Sequence, residues 1–266
     1  MTSMTSTKAT LAMVLAASAA TSATSAQPIY ETDFNNAAQA ADFAPDRANP
    51  GGFTVNDSGN GVLQIESVPT DAPGQTSSFY NFHGIQTGPA GDFNAGPGAL
   101  VTVDLFVPSS WNDPSVTRAG DLWARIDDPA TSIGQDLYPS VGVYNVGDGR
   151  GALASLFSPT FNSFDSAPGA VILDLPGVAI NFDAFNTLGL RFTGTSVEYL
   201  FNGAVFATES DAIYSTAIDL DQAYLQTFQA TDAYTATFDN LIVTPTPASA
   251  ALLGMAGLAA TRRRRA

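Results

Sequence analysis

Short runs that alternate between apolar and polar residues recur along the chain between residues 27 and 243. They repeat about every 8 to 15 residues and are separated by turn-forming residues, a spacing typical of β-sandwiches and jelly rolls. No helical periodicity in this region extends far enough to predict a long helix. The predicted strands are 29–34, 53–56, 62–66, 78–83, 99–107, 121–127, 138–146, 152–158, 170–175, 187–193, 197–201, 205–208, 224–229 and 235–243.

The clearest local prediction is a hairpin at Asn202-Gly203, which lies between two alternating runs. Both residues of this dipeptide accept a positive φ, as a two-residue hairpin turn requires. The turn predicts that Phe201 pairs with Ala204 and that Tyr199 pairs with Phe206.

A second tight turn, at Gly194-Thr195, precedes this hairpin. It predicts that Phe192 pairs with Val197 and that Arg191 pairs with Glu198. The latter two side chains are expected to form an exposed ion pair, which contributes little free energy and has no role in chemistry.

The resulting meander lies between an aromatic segment, Phe182-Asp-Ala-Phe185, and a final strand, Thr237-Phe-Asp-Asn-Leu-Ile-Val243. This order resembles the concanavalin A-like, laminin G-like jelly roll. Phe185 stands where the family more often has Trp, and Leu200 replaces the Tyr before the hairpin turn. The resemblance implies an all-β antiparallel β-sandwich. It does not determine function, because lectins, hydrolases, lyases and adhesive modules share this fold.

The first 26 residues have the features of a secretory signal peptide. Lys8 precedes an apolar stretch over residues 9–20, and small residues lead to a cleavage site predicted after Ala26. The alternative is a structural N-terminal helix. Residues 27–243 are therefore predicted to form one exported domain.

Residues 244–266 are predicted to be a sorting segment. Pro245-Thr-Pro247 precedes about 14 apolar or small residues, a helix of roughly 20 Å against a bilayer core of about 30 Å. The chain then carries a basic cluster, formed by Arg262, Arg263, Arg264 and Arg265. This arrangement resembles the PEP-CTERM sorting signal, with Pro-Thr-Pro in place of Pro-Glu-Pro. The resemblance implies export machinery and an exosortase-type enzyme as partners, transient membrane anchoring, and delivery to the cell envelope or extracellular matrix.

Charge and cysteine content narrow the possible functions. Residues 27–243 contain all 25 acidic residues, five arginines and no lysine, so the formal charge of this region is −20. Such a surface repels phosphate backbones and argues against nucleic-acid binding. The chain contains no cysteine, which excludes disulfides, thiolate metal sites and cysteine nucleophiles.

Enzyme motifs are sparse. Retaining glucanases of this fold carry Glu-x-Asp-x-Glu on one strand, but Glu31-Thr-Asp33 is followed by Asn35 instead of a second glutamate. The single histidine, His83, is expected to be an ordinary residue at a strand end. We therefore expect no catalytic site.

A sugar-binding face is predicted around residues 121–127, because flat aromatic rings and planar polar groups commonly bind carbohydrate. Alternation directs Leu122, Ala124 and Ile126 to the core and the intervening side chains outward. The outward-facing side chains of this strand and of the next predicted strand would form an exposed patch of Trp123, Arg125, Tyr138 and Tyr144. Trp111, in the loop over residues 109–114, is a second candidate platform. The alternative is that both tryptophans are packing residues.

A structural calcium site is predicted where the first and last strands of the domain meet. Glu31, Asp33 and Asp239 would supply the hard oxygen ligands that calcium prefers. The alternative is that these are exposed carboxylates at strand ends.

Together the sequence favours an exported, non-enzymatic protein that binds extracellular polysaccharide or matrix components. A purely structural acidic surface protein and a polysaccharide-cleaving enzyme are the alternatives.

Overall fold

The computed structural model describes residues 27–46, 51–56, 61–67, 82–88, 93–127, 136–157, 173–174, 177–210, 212–228 and 232–245. The strands in these residues are β1 (Tyr30–Thr32), β2 (Phe43–Asp46), β3 (Gly52–Asn56), β4 (Val62–Ser67), β5 (Phe82–Thr87), β6 (Leu100–Val107), β7 (Thr117–Asp127), β8 (Ser140–Val146), β9 (Leu153–Phe157), β10 (Leu173–Asp174), β11 (Ala184–Phe192), β12 (Ser196–Phe201), β13 (Ala204–Ser210), β14 (Asp219–Phe228) and β15 (Tyr234–Thr244). Short 3₁₀ helices cover Ala37–Asp42, Ser109–Asn112 and Ala212–Ser215.

The strands form two antiparallel sheets, which confirms the predicted all-β sandwich. The eight-stranded sheet has the order β13-β12-β11-β6-β15-β4-β3, with β1 paired to β15. The seven-stranded sheet has the order β10-β9-β8-β7-β14-β5-β2. Every strand pair described in either sheet is antiparallel.

The core lies between the two sheets and is built by period-2 alternation. On β6, Val101, Val103, Leu105 and Val107 are fully buried in the main core, while the residues between them are half-buried on the other face. Burial of branched aliphatic side chains in this way contributes about 1.5–3 kcal/mol per residue. The same alternation fixes which residues of each sheet face outward.

The predicted hairpin is confirmed at its turn. Asn202 and Gly203 have φ values of 50° and 79°, and Phe201 pairs with Ala204. Tyr199 pairs with Ala207 instead of the predicted Phe206, because a β-bulge after Tyr199 shifts the register. The Asn202-Gly203 dipeptide predicted the hairpin turn correctly, but the bulge changed the pairing of the strands from Tyr199 onward.

The second turn is also confirmed. Phe192 pairs with Val197, and Arg191 lies opposite Glu198 with a contact of 2.6 Å between Nη1 and Oε2. Both charged side chains are partly exposed.

The first and last strands of the domain are neighbours, as expected. Tyr30 pairs with Val243, and Ile29 donates its backbone N–H to the Val243 carbonyl at 2.7 Å. The signal-peptide prediction at residues 1–26 and nearly all of the predicted sorting segment lie outside the described residues. In the part of the chain that is described, there is no helix with the length and apolar character needed to cross a bilayer.

Candidate functional site

The outer face of the seven-stranded sheet, which points away from the core, carries a second cluster of aromatic side chains. On β7, Leu122, Ala124 and Ile126 pack in the main core as predicted, while Trp123 packs in the outer cluster. We call this set the outer aromatic cluster. Its members are Phe82, Trp123, Tyr138, Tyr144, Tyr224 and Phe228.

The rings of the outer aromatic cluster pack edge to face. The centroid of Phe82 lies 5.1 Å from that of Trp123 and 6.2 Å from that of Tyr144. Tyr138 and Tyr224 lie 5.9 Å apart. Each such pair contributes about 0.5–1.5 kcal/mol in addition to the energy of burying apolar area. The cluster therefore forms a well-packed layer on this face.

Asp121 lies at the centre of the cluster and is fully buried. Its Oδ2 accepts hydrogen bonds from Trp123 Nε1 and Tyr144 Oη. Burial and then the charge of Asp121 raise the pKa of Tyr144 well above its usual value. Tyr144 therefore remains a hydroxyl donor at all physiological pH values.

A polar row extends from Asp121 across the sheet. Gln226 lies opposite Asp121 on β14, and its Nε2 donates to Asp46 Oδ2 at 3.1 Å. Gly84 lies between the strands of Gln226 and Asp46, where a Cβ would collide with the Leu225 carbonyl. A glycine is required here because β5 and β14 approach too closely for any side chain.

Two carboxyl groups lie directly opposite each other further along the same face. Asp127 on β7 pairs with Asp219 on β14. Burial, and then the negative charge of Asp127, raise the pKa of Asp219, while Arg125 lowers it. Both aspartates are partly exposed, unlike Asp121. Asp219 therefore holds a proton at higher pH than an ordinary aspartate.

Arg125 lies beside this pair and is bound by two further aspartates. Its Nη2 contacts Asp221 Oδ2, and its Nε lies 3.9 Å from Asp136 Oδ2. The bulge between Leu220 and Gln222 changes the strand register at Asp221. Four carboxylates and one guanidinium therefore occupy this end of the face.

The structure brings four predicted sugar-binding residues to one face, but it does not expose them as predicted. Trp123 is 1% exposed and Tyr144 is 5% exposed, while Arg125 and Tyr138 are half-buried. The prediction of an exposed patch was wrong because Phe82 and Tyr224, from other strands, pack against it.

Trp111 is also not an exposed platform. It lies in the 3₁₀ helix Ser109–Asn112, is 2% exposed, and belongs to the main core. Its ring packs edge to face on Tyr234 with centroids 5.7 Å apart. The loop prediction failed because this helical turn directs the ring inward.

The three residues of the calcium prediction lie on the eight-stranded side of the sandwich. Glu31 and Asp33 are exposed, and burial followed by the charges of Asp104 and Asp33 raises the pKa of Asp239. Among the described residues, no group of three acidic or histidine side chains has the spacing to hold a metal ion. His83 lies within β5 and is 1% exposed.

No protein-family model and no curated protein matches the chain. Several solved structures match across most of it. A structure described in connection with endo-acting O-glycanases of the human gut microbiota aligns with a TM-score of 0.53 and 11% identity. The alignment covers 82% of this chain and 99% of that chain. The Crh5 transglycosylase in complex with NAG aligns with a TM-score of 0.51 and 12% identity, over 84% and 86%. The catalytic domain of an endo-1,3-beta-glucanase (laminarinase) from Thermotoga petrophila aligns with a TM-score of 0.51 and 13% identity, over 83% and 98%.

At these identities the likeness shows the fold, a sandwich shared with glycan-processing proteins. It also corrects the prediction of a non-enzymatic binding protein, because the matched structures are described as a glycanase, a transglycosylase and a glucanase. The pairing of Asp127 with Asp219 was not predicted from the sequence. The predicted strand began at residue 224, so Asp219 fell outside it, because the adjacent polar residues Asp221 and Gln222 interrupt the alternation.

Proposed function

We propose that this domain cleaves or transfers glycosidic bonds of a polysaccharide that lies on the outer face of the seven-stranded sheet. The observation that carries the proposal is the opposed pair Asp127 and Asp219, which lies beside the outer aromatic cluster. The resemblance to the concanavalin A-like jelly roll and the likeness to glycan-processing structures support it.

Asp219 is the proton donor of the proposed reaction. Glycosidic cleavage needs one carboxylic acid to protonate the leaving oxygen and a second carboxylate near the sugar carbon. Directly opposed residues on antiparallel strands have Cβ atoms about 4.5–5.5 Å apart, so both carboxyl groups reach the same bond. The raised pKa of Asp219 suits it to carry the proton. Asp127 is the second carboxylate, which attacks the sugar carbon as the bond to the leaving oxygen breaks. Water or a sugar hydroxyl then displaces Asp127 and gives its proton back to Asp219.

The rest of the face positions the sugar chain. Tyr138 is half-buried and follows Leu137, the bridge partner of Ile126 on β7. It offers a ring face for a sugar to stack on. Asp121, Trp123 and Tyr144 are buried below the surface that a substrate would contact, and the hydrogen bond from Tyr144 to Asp121 links β8 to β7. These three are positioning residues.

Product analysis tests the proposal. Full-length protein is incubated with a panel of neutral, amino-sugar and acidic polysaccharides, and new reducing ends and transferred oligosaccharides are measured. Asp219→Asn and Asp127→Asn should each lower the rate on the active substrate about 100-fold or more. Asp239→Asn is the matched control, because Asp239 has a raised pKa on the opposite sheet. It should leave the rate within about twofold of the unmodified protein.

Two results would contradict the proposal. One is no product on any polysaccharide with folded protein. The other is a rate that both aspartate variants of the pair leave unchanged.

Export and sorting remain predictions from residues 1–26 and 244–266. We expect the protein in the envelope or extracellular fraction of its host. Replacing Arg262, Arg263, Arg264 and Arg265 by Ala should leave the sorting segment unprocessed, which the mass of the secreted protein would show. An unchanged mass and location would refute the sorting role.

The calcium prediction also has a direct test. If Glu31, Asp33 and Asp239 bind calcium, adding it to chelated protein raises the Tm, and Asp33→Asn with Asp239→Asn abolishes that rise. An unmoved Tm in the unmodified protein would refute the site.

A further inference from the structure

The ion pairs that the arginines already form limit which sugars the proposed site can bind. Each arginine in the described ranges contacts a carboxylate, and Arg47 lies outside them. The pairs are Arg118 with Asp232, Arg125 with Asp221, Arg150 with Asp148, and Arg191 with Glu198. Residues 27–243 contain no lysine, and their single histidine is buried in β5. Within the described residues, a sugar carboxylate or sulfate would therefore have to displace an existing ion pair to contact a cation.

The end of the face where chemistry is proposed has an excess of negative charge. Arg125 is outnumbered by Asp127, Asp136 and Asp221 even while Asp219 holds the proton that the proposed reaction needs. Among the described residues these carboxylates do not have the spacing of a metal site. The potential at this end therefore favours cationic groups on a larger ligand.

We infer that the substrate of this face is a glycan with free amino groups, that is, a polymer containing protonated amino sugars. This inference rests on the proposed function and names the substrate class of the same site. An ammonium group beside Asp127 offsets part of the negative charge that Asp127, Asp136 and Asp221 carry in excess of Arg125. The half-buried ring of Tyr138 also attracts a cation placed over its face.

Binding of short oligosaccharides tests the charge preference. Titration calorimetry with full-length protein compares equal-length oligomers of glucosamine, N-acetylglucosamine and galacturonic acid at low and high salt. Glucosamine oligomers should bind about tenfold more tightly than N-acetylated ones at low salt. The difference should shrink as salt screens the carboxylates, and galacturonic acid oligomers should bind most weakly.

A pair of double variants separates site binding from adsorption to an acidic surface. Asp127→Asn with Asp219→Asn should abolish the preference for glucosamine oligomers. Glu66→Gln with Asp104→Asn removes the same charge from two carboxylates on the outer face of the eight-stranded sheet, and should keep the preference. Each variant is checked for an unchanged unfolding transition.

The outcomes distinguish this inference from the proposed function. Preference for galacturonic acid oligomers, or equal loss in both double variants, overturns the amino-sugar inference. If neutral polysaccharides are cleaved without any charge preference, the proposed function stands and this inference falls. Absence of binding and of product with every glycan refutes both.

Discussion

The outer faces of the two sheets each place an aspartate on a central strand, yet the two aspartates have different surroundings. Asp121, on the seven-stranded sheet, is fully buried and accepts hydrogen bonds from Trp123 and Tyr144. Asp104, on the eight-stranded sheet, is half-buried and accepts from Thr187 at 2.6 Å and from Asn240 at 3.0 Å. Both carboxylates therefore accept at least two side-chain hydrogen bonds.

The different burial of the two carboxylates should therefore decide how much each contributes to the free energy of unfolding. When a substitution removes one partner of an exposed hydrogen bond, water replaces that partner. When it removes one partner of a buried hydrogen bond, the other polar group is left unsatisfied. We therefore expect the seven-stranded face to respond strongly to substitution and the eight-stranded face to respond weakly.

The largest contrast is expected for aromatic truncation. Trp123→Ala should lower the free energy of unfolding by about 3–5 kcal/mol, because it opens a cavity among packed rings. Phe185→Ala, on the other face, should cost under about 1 kcal/mol, since Phe185 is 41% exposed. Urea denaturation of both variants measures the difference. Equal losses would mean that the two faces are equally well packed.

Removing the central aspartates should give a smaller contrast. Asp121→Ala leaves the Trp123 and Tyr144 donors buried without their acceptor and should cost about 3 kcal/mol. Asp104→Ala should cost about 1 kcal/mol or less. The same urea experiment applies, and a larger loss for Asp104→Ala would reverse the comparison.

The smallest effects concern pH. Asp219 and Asp239 have raised pKa values, so ionising them destabilises the folded state as pH rises through the ordinary and then the raised pKa. Asp219→Asn and Asp239→Asn should match the unmodified protein in acid and gain less than about 0.5 kcal/mol at neutral pH. Unfolding curves between acid and neutral pH measure this gain. A variant that becomes less stable than the unmodified protein as pH rises would contradict the assigned direction.

Local pattern predicted the direction of side chains better than their exposure. Alternation placed Leu122 and Trp123 on opposite faces of β7, as observed. Exposure of Trp123 depends on Phe82, which is distant in sequence and arrives through the pairing of β5 with β14. A single strand carries no signal of such long-range packing.

The candidate carboxyl pair was missed for a related reason. Asp219 faces Asp127 only because β14 pairs with β7 in one particular register, and the bulge at residues 220–222 changes that register locally. Neither the partner strand nor the bulge can be read from alternation alone. Turn signals such as Asn202-Gly203 succeeded because their conformational demand lies within the two residues themselves.

The pairing of β1 with β15 has a mechanical consequence. Tyr30 and Val243 are directly opposed on antiparallel strands, so the two ends of the described domain leave the sheet at the same place. A force that pulls residues 27 and 245 apart loads the hydrogen bonds between these strands one after another, in a peeling geometry. The three-residue strand β1 should therefore detach first under tension, while β15 stays held by β4 and β6.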